Sequence, residues 1–360
     1  MLRQRPLCGR WSKAERKYIK MNKNTKTALI VALSIFGAGV LIWLCISMSV
    51  GFNYSKLSWG WDSGENSSLV DESSFKEEHI DKDIKENGQK IIINVVSADV
   101  TVSPSEDGKV HLSYDNTENT YFEYVEKDDK VTLTQKQKNY SIIGIIGSSE
   151  KLNVELSLPA GREGELNING ASSDITISDI DMKDEMNIYS VSGDVDISDC
   201  KAKTLGTGTT SGGIELRSID VASIKGGTVS GEIRLQDISG KIPLTLESVS
   251  GEVYAENVDA KDLSVSTVSG ETTLKNVSGM KADFSSTSGR VGLNKVDFRE
   301  IKFSTVSGDI SGSVKGASDD YTAYTETVSG RNNLSGHRGR GERTLDFSTT
   351  SGSIDISFQK

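Results

Sequence analysis

From residue 171 onward, apolar side chains recur in fixed columns around a Ser-Gly pair. The pairs stand at Ser192-Gly193, Ser211-Gly212, Ser230-Gly231, Ser250-Gly251, Ser269-Gly270, Ser288-Gly289, Ser307-Gly308, Ser329-Gly330 and Ser351-Gly352, with steps of 19, 19, 20, 19, 19, 19, 22 and 22 residues. A degenerate copy, Ser172-Ser173, precedes them by one more step. Six and four positions before the Ser lie Leu244/Leu246, Leu263/Val265, Ala282/Phe284, Ile301/Phe303 and Leu345/Phe347. Three and five positions after it lie Val195/Ile197, Ile214/Leu216, Ile233/Leu235, Val291/Leu293 and Ile354/Ile356. A third column, eight after, holds Ile180, Cys200, Ile219, Ile238, Val258, Val277 and Val296, which makes Cys200 a core position rather than a reactive thiol.

Apolar residues two apart on either side of a turn are the signature of short strands. One repeat cannot fold alone, because its few buried side chains do not offset the entropy of ordering its backbone. Equal coils laid on one another supply the missing hydrogen bonds and turn each column into an internal stripe. The expected class is therefore all-β, a parallel β-solenoid (β-helix) of about ten coils of 19–22 residues over residues 171–360. Gly at each corner permits either a positive φ or a close backbone approach. The side on which the Val or Thr before each Ser lies is left open.

Upstream, IIINVV, VTVS, KVHLSY, YFEYVE, KVTLTQ and KLNVELSLPAG alternate over short runs broken by turn pairs such as Asp107-Gly108 and Asp128-Asp129, so residues 76–170 read as a β-rich part preceding the repeats. Residues 51–75 mix Ser, Gly, Asn and acids without period and read as a linker, in which Trp59 and Trp61 are either interfacial aromatics or plain linker residues.

Charge divides the chain. Residues 1–26 carry nine Lys/Arg against Glu15, so this segment holds +8 and the remainder −18 of the net −10. Residues 27–50 contain no charge and are long enough to cross a bilayer as one helix. The basic flank places the N-terminus in the cytoplasm and the bulk of the chain outside, as a single-pass cell-membrane protein. A cleaved signal peptide is the rival reading, disfavoured by the length of the apolar run. Leu44 before Cys45 is too large for a lipoprotein-type site. Met21 opens MNKNTKTALIV, an alternative start that keeps the same topology. With Cys8 inside, Cys45 in the membrane and Cys200 outside, no intramolecular disulfide forms beyond the membrane.

The stretch VVSADVTVSPSEDGKVHLSY, the lead-in LSLPAG and the repeated TVSG/SVSG followed by acidic and β-branched residues resemble the bacterial putative-adhesin domain of unknown function, over roughly residues 75–360. The resemblance implies a β-solenoid and a cell-surface role. Membrane-anchored members of this type accompany envelope-stress regulatory systems of Gram-positive bacteria, and the resemblance supplies no catalytic residues. The basic first twenty residues and the two stretched final repeats depart from it.

Candidate chemistry is sparse. His79, His111 and His337 show no metal-ligand spacing, and GTGTTSG at residues 206–212 falls within the repeat with no helix after it. No cofactor, no catalytic set and no nucleic-acid partner is expected. The acids after the Ser-Gly pairs, Asp174, Asp194, Glu232, Glu252, Glu271 and Asp309, form a column interrupted by Gly213, Arg290, Arg331 and Ser353. Asp194, Glu232, Glu252 and Glu271 are candidates for a divalent cation, against the simpler reading that turn acids keep a repeat surface soluble. Arg338, Arg340 and Arg343 in HRGRGER are candidates for ligand binding, since Arg forks onto phosphate or carboxylate. The final strand around Ile354 and Ile356 is expected to end the rod uncovered.

The leading expectation is a non-catalytic adhesin-like or envelope-stress-associated interaction protein whose partner is a cell-wall polymer or envelope protein. The alternatives are a polysaccharide-active β-helix enzyme and a structural spacer. The anchor makes a direct prediction: protease added to intact protoplasts removes the repeats from full-length protein in the membrane fraction, and full protection of the C-terminal part would exclude this topology.

Overall fold

The computed structural model describes residues 78–84, 88–137, 152–337 and 339–360. The expected membrane segment, residues 27–50, lies outside them, as do the linker 51–75 and Arg338. Among the described residues no helix is long and apolar enough to cross a membrane.

The described chain is an all-β parallel solenoid. Each coil contributes one strand before its Ser-Gly corner and one after it, and both pair in parallel with the coils above and below. The register follows the repeat step as Leu244 pairs with Leu263, Leu263 with Ala282 and Ala282 with Ile301, until Ile301 pairs with Leu345, two steps further along the chain. All three apolar columns are buried, Cys200 among them. Burial also pushes the Cys200 thiol up to about 11, which leaves it protonated and inert.

Two of the corners in each coil meet their constraints differently. The second corner is left-handed at Asp179, Asp199, Ser218, Asp237, Asn257, Asn276 and Lys295, with φ of 53° to 57°. Asp and Asn dominate because their short polar side chains tolerate that region. Asn276 Nδ2 donates to Asn257 Oδ1 and Asn257 Nδ2 to Asp237 Oδ1, both at 2.9 Å, which links three coils along the edge.

At the Ser-Gly corner φ is not positive, and close approach is the reason for glycine. A Cβ on Gly270 would sit 1.9 Å from the Gly251 carbonyl oxygen, and one on Gly289 2.1 Å from that of Gly270. The residue two before the Ser points inward, which settles the question the pattern left open: Ser190, Thr228, Thr267, Thr305 and Thr349 are buried, while Val229 and Val268 are half-buried. These hydroxyls close the turn on itself. Thr228 Oγ1 accepts the Gly231 N–H at 2.9 Å, Ser286 Oγ that of Gly289 at 2.7 Å, and Thr349 Oγ1 that of Gly352 at 3.0 Å. The corner N–H is thus satisfied inside the core without water.

The solenoid begins earlier than residue 171. Lys90–Val95 and Asp99–Pro104 form a full coil beneath Leu166–Gly170 and Ile175–Ser178. Below it lies a coil later in sequence, Lys130–Gln137 with Asn153–Leu158. Val110–Asn116 and Thr120–Lys127 close that end by antiparallel pairing. The Gln135 Oε1 accepts the N–H groups of Val96, Ser97 and Ala98 at 2.6, 3.0 and 3.2 Å, occupying the corner of the first coil. Arg162 is fully buried at the same end, donating to the carbonyls of Gly164 (2.8 Å) and Gln89, and burial pulls its guanidinium down to about 10. Outermost is Glu78–Ile84, antiparallel on Val110–Asn116. This strand is mostly polar and was not anticipated.

The corner constraint is testable. Gly270→Ala should lower stability by about 1–3 kcal/mol or more, since the ladder beneath cannot yield. Gly213→Ala, whose Cβ would meet nothing closer than 3.6 Å, should stay within about 0.5 kcal/mol. Urea midpoints of the two variants measure the difference, and equal midpoints would refute close approach as the reason for the Ser-Gly repeat.

Candidate functional site

The stretched final repeats change the threading. After Ile310–Lys315 the chain passes through the 3-10 turn Ser318–Asp320 to the outermost strand, Tyr321–Thr327. It then returns, and Arg343–Thr349 inserts between Tyr321–Thr327 and the preceding coil, pairing with Val291–Ser304. Ile354–Gln359 pairs with Ile310–Lys315. The corner glycines record the order, Gly352 lying on Gly308 and Gly330 on Gly352.

The final strand of the chain is therefore not the uncovered end that the sequence suggested. Its outer edge is covered by residues 331–334: Ile354 N–H donates to Arg331 O at 2.7 Å and Asn333 N–H to Ile354 O at 3.1 Å. The Asn333 amide continues the ladder as a strand would, accepting the Ile356 N–H at 3.0 Å and donating to the Ile356 carbonyl at 2.9 Å. Phe358 packs against Tyr321 (5.4 Å between centroids) and stacks on His337 (5.7 Å). The His337 Nε2 donates to the Tyr321 carbonyl at 3.1 Å, so this histidine plugs the end. The open edge belongs instead to Tyr321–Thr327, which among the described residues has a ladder partner on one side alone. Tyr324 (63% exposed) and Val328 (67%) stand at that edge and are the most exposed large apolar side chains among the described residues.

The same threading opens a cleft of about 620 Å³ lined by Gly279, Asp297, Arg299, Asp319, Asp320, Gly341, Glu342 and Arg343. In the coils before it, the third side continues from one long strand to the next, Val253–Thr267, Thr272–Ser286 and Val291–Ser304. The next coil leaves at Lys315, so the row carrying Asp297 and Arg299 has no full neighbour there.

Of the three arginine candidates, Arg343 lines this cleft but is held within it. Its Nη2 lies 2.9 Å from Asp297 Oδ1, and its Nη1 donates to the Lys315 carbonyl at 2.6 Å and to the Tyr321 hydroxyl at 3.0 Å. The Tyr321 hydroxyl in turn donates to the same carbonyl at 2.5 Å. Burial pushes this phenol up, with Arg343 opposing the shift. Arg340 is exposed, and Arg338 lies outside the described residues. The acids lining the cleft outnumber the bases, so the basic run does not form a uniformly positive patch. Asp297, Arg299, Asp319 and Asp320 were missed from sequence, where the only trace of the cleft is the lengthening of the last two steps.

The cation candidates are spread along one edge. Asp194 Oδ1 accepts the Gly213 N–H at 2.7 Å, as Asp174 Oδ1 accepts that of Asp194 at 2.9 Å and Asp309 Oδ1 that of Ser353 at 2.8 Å. Glu232 is 2.5 Å from Arg234 Nη2. Glu252 and Glu271 are exposed. Among the described residues no group of three or more His, Cys, Asp or Glu is placed to hold a metal ion.

A family model described as Toastrack DUF4097 matches residues 88–253 and 243–360. No curated protein is significantly similar to the chain. Among solved structures, a putative lipid binding protein from Parabacteroides distasonis is 17% identical with a TM-score of 0.42, covering 78% of this chain and 96% of that one. A putative adhesin from Parabacteroides merdae is 14% identical with a TM-score of 0.39, covering 78% and 96%. A putative cell adhesion protein from Clostridium sporogenes is 14% identical with a TM-score of 0.27, covering 79% and 100%.

Arg343 and Arg340 separate structure from surface. Arg343→Met strands the Asp297 carboxylate and should destabilise the outermost coil by about 1–3 kcal/mol, whereas Arg340→Ser should stay within about 0.5 kcal/mol. Amide exchange of Tyr321–Thr327 reads this directly, and equal protection in the two variants would remove Arg343 from the support of the cleft.

Proposed function

The chain belongs to the Toastrack DUF4097 family, and from that premise we propose that it is a non-catalytic, adhesin-like interaction protein of the cell envelope. Residues 27–50 anchor it in the membrane with the solenoid outside, and the swapped distal end is its binding end. The observation that carries this reading is the open edge of Tyr321–Thr327 with Tyr324 and Val328 exposed beside it. The flanks of the rod spend many of their polar groups on one another, as Asp194 and Asp309 do on backbone N–H groups. An open edge instead offers backbone donors and acceptors to an incoming extended segment, with side-chain pockets setting its sequence. An envelope protein fits that chemistry better than a wall polymer. Its association with an envelope-stress system is part of the same proposal.

Full-length protein in detergent tests it. Tyr324→Ser together with Val328→Ser should weaken capture of envelope proteins at least tenfold, the equivalent of about 1.4 kcal/mol. Val125→Ser at the opposite end should leave it unchanged. Undiminished capture by the distal variant, or specific retention by wall polymer alone, would refute the reading.

A further inference from the structure

Among the described residues Glu78–Ile84 holds to the N-terminal end of the solenoid through one strand neighbour, Val110–Asn116, with Glu78 opposite Asn116 and Ile84 opposite Val110. Its apolar contribution is small: Ile84 is buried, Ile80 partly so, and Lys82 lies between them with its ammonium 4.6 Å from the centre of the Tyr124 ring. The outward face carries the distinctive chemistry. His79, Asp81 and Asp83 stand opposite Asp115, Ser113 and His111, so the two antiparallel strands set each histidine against an aspartate of the other.

The contacts are short and doubled. His79 Nδ1 is 2.6 Å from Asp115 Oδ1, and its Nε2 is 3.3 Å from both Asp81 Oδ1 and Ser113 Oγ. His111 Nδ1 is 2.7 Å from Asp83 Oδ1, and its Nε2 is 2.8 Å from Asp107 Oδ1. Asp107 is fixed in turn by the Ser105 hydroxyl at 2.9 Å and the Lys109 N–H at 3.0 Å, with Lys109 Nζ 3.8 Å from its other oxygen. On the far side of Val110–Asn116, Glu155 faces Ser113 and Ser157 faces His111. Each imidazole thus has a carboxylate at both nitrogens. Only the doubly protonated ring can donate to both, because a neutral ring keeps one donor.

We propose that these two histidines form a proton-operated latch, which holds Glu78–Ile84 on the solenoid while both rings are charged and releases it when they lose their protons. Release frees the strand joining the solenoid to the segment before it, lengthening that connection by about 3.4 Å per residue, and bares the edge of Val110–Asn116.

The electrostatics agree in sign. Hydrogen bonding to Asp115 raises the pKa of His79, with the nearby Asp81 charge second, and hydrogen bonds to Asp107 and then Asp83 raise that of His111. A raised folded-state pKa gives stability that is complete below the unfolded value of about 6.5 and is lost as pH rises through the folded value. Asp107 is held far below the carboxylate range, first by its bond to His111, so its contribution is lost only on acidification. The latch is engaged between those limits and opens on the alkaline side. His79 is exposed and His111 partly so, which makes each pair weak and salt-sensitive. Besides the two pairs, release is resisted by a single antiparallel ladder and two inward apolar side chains, which places this edge strand at the low-stability end of the fold.

Hydrogen exchange on full-length protein in detergent, corrected for intrinsic rates, tests the latch. Protection of Glu78–Ile84 should fall at least tenfold between pH 6 and pH 9 while the core strand Lys130–Gln137 stays protected. His79→Gln with His111→Gln should give low protection in Glu78–Ile84 at both pH values and an unchanged core. Flat protection in the wild type, a pH response that survives the double substitution, or one abolished by chelator and therefore due to a bound metal, would each overturn the proposal.

Discussion

The spacing between coils governs this protein. Parallel ladders fix it at about 4.8 Å, and at the Ser-Gly corner that distance brings the backbone of one coil into contact with the next. A side chain there has nowhere to go, as the 1.9 Å approach of a Gly270 Cβ to the Gly251 carbonyl makes plain. Glycine alone leaves the N–H of the corner in need of an acceptor inside an apolar core. The hydroxyl three residues earlier supplies it, as Thr228 does for Gly231. The motif Thr/Ser-x-Ser-Gly is then one device: a small residue where coils touch, and a buried hydroxyl that completes the turn.

A stack built this way must stop, and stopping is harder than continuing. The last coil exposes both its strand edges and its apolar interior. This chain meets the problem in a similar manner at both ends, by placing the outermost coil out of sequence order. At one end Lys130–Gln137 and Asn153–Leu158 lie outside Lys90–Val95 and Asp99–Pro104. At the other Tyr321–Thr327 lies outside Arg343–Thr349. The outer coils are free to carry more polar interiors and substitutes for strands, such as the Asn333 amide and the Gln135 side chain in the corner of the first coil.

The columns that fill the core could be read from sequence because the same positions recur every coil, and each of Leu263, Val265, Leu293 and Val277 is buried as the pattern requires. The order of the coils could not be read that way. A lengthened repeat preserves the register of its columns whether it continues the stack or doubles back, so Leu345 and Phe347 fit the column beside Ile301 and Phe303 even though a whole coil intervenes in sequence. The cleft at Asp297 and Arg299 follows from that threading and was invisible with it. Arg343 read as a ligand-binding candidate in a basic run, since nothing local shows that Asp297, Tyr321 and the Lys315 carbonyl converge on it. Glu78–Ile84 escaped notice because its alternation is largely of polar residues, whose partners lie across the strand pair at His111 and Asp115.

The distribution of chemistry follows from the same geometry. Along the middle of the rod each residue has a near-copy directly above and below, and polar groups find partners in the neighbouring coil: Asp194 with the Gly213 N–H, Lys275 with Glu256, Asn276 with Asn257. Repetition lets many of the polar groups on those faces pair within the chain. Where the repetition breaks, dissimilar residues meet, and both the open strand with its cleft and the paired histidines arise there. In a solenoid of this kind the ends are the places where one coil does not answer to an equivalent coil, and side chains far apart in sequence, such as Arg343 and Asp297, are brought together there.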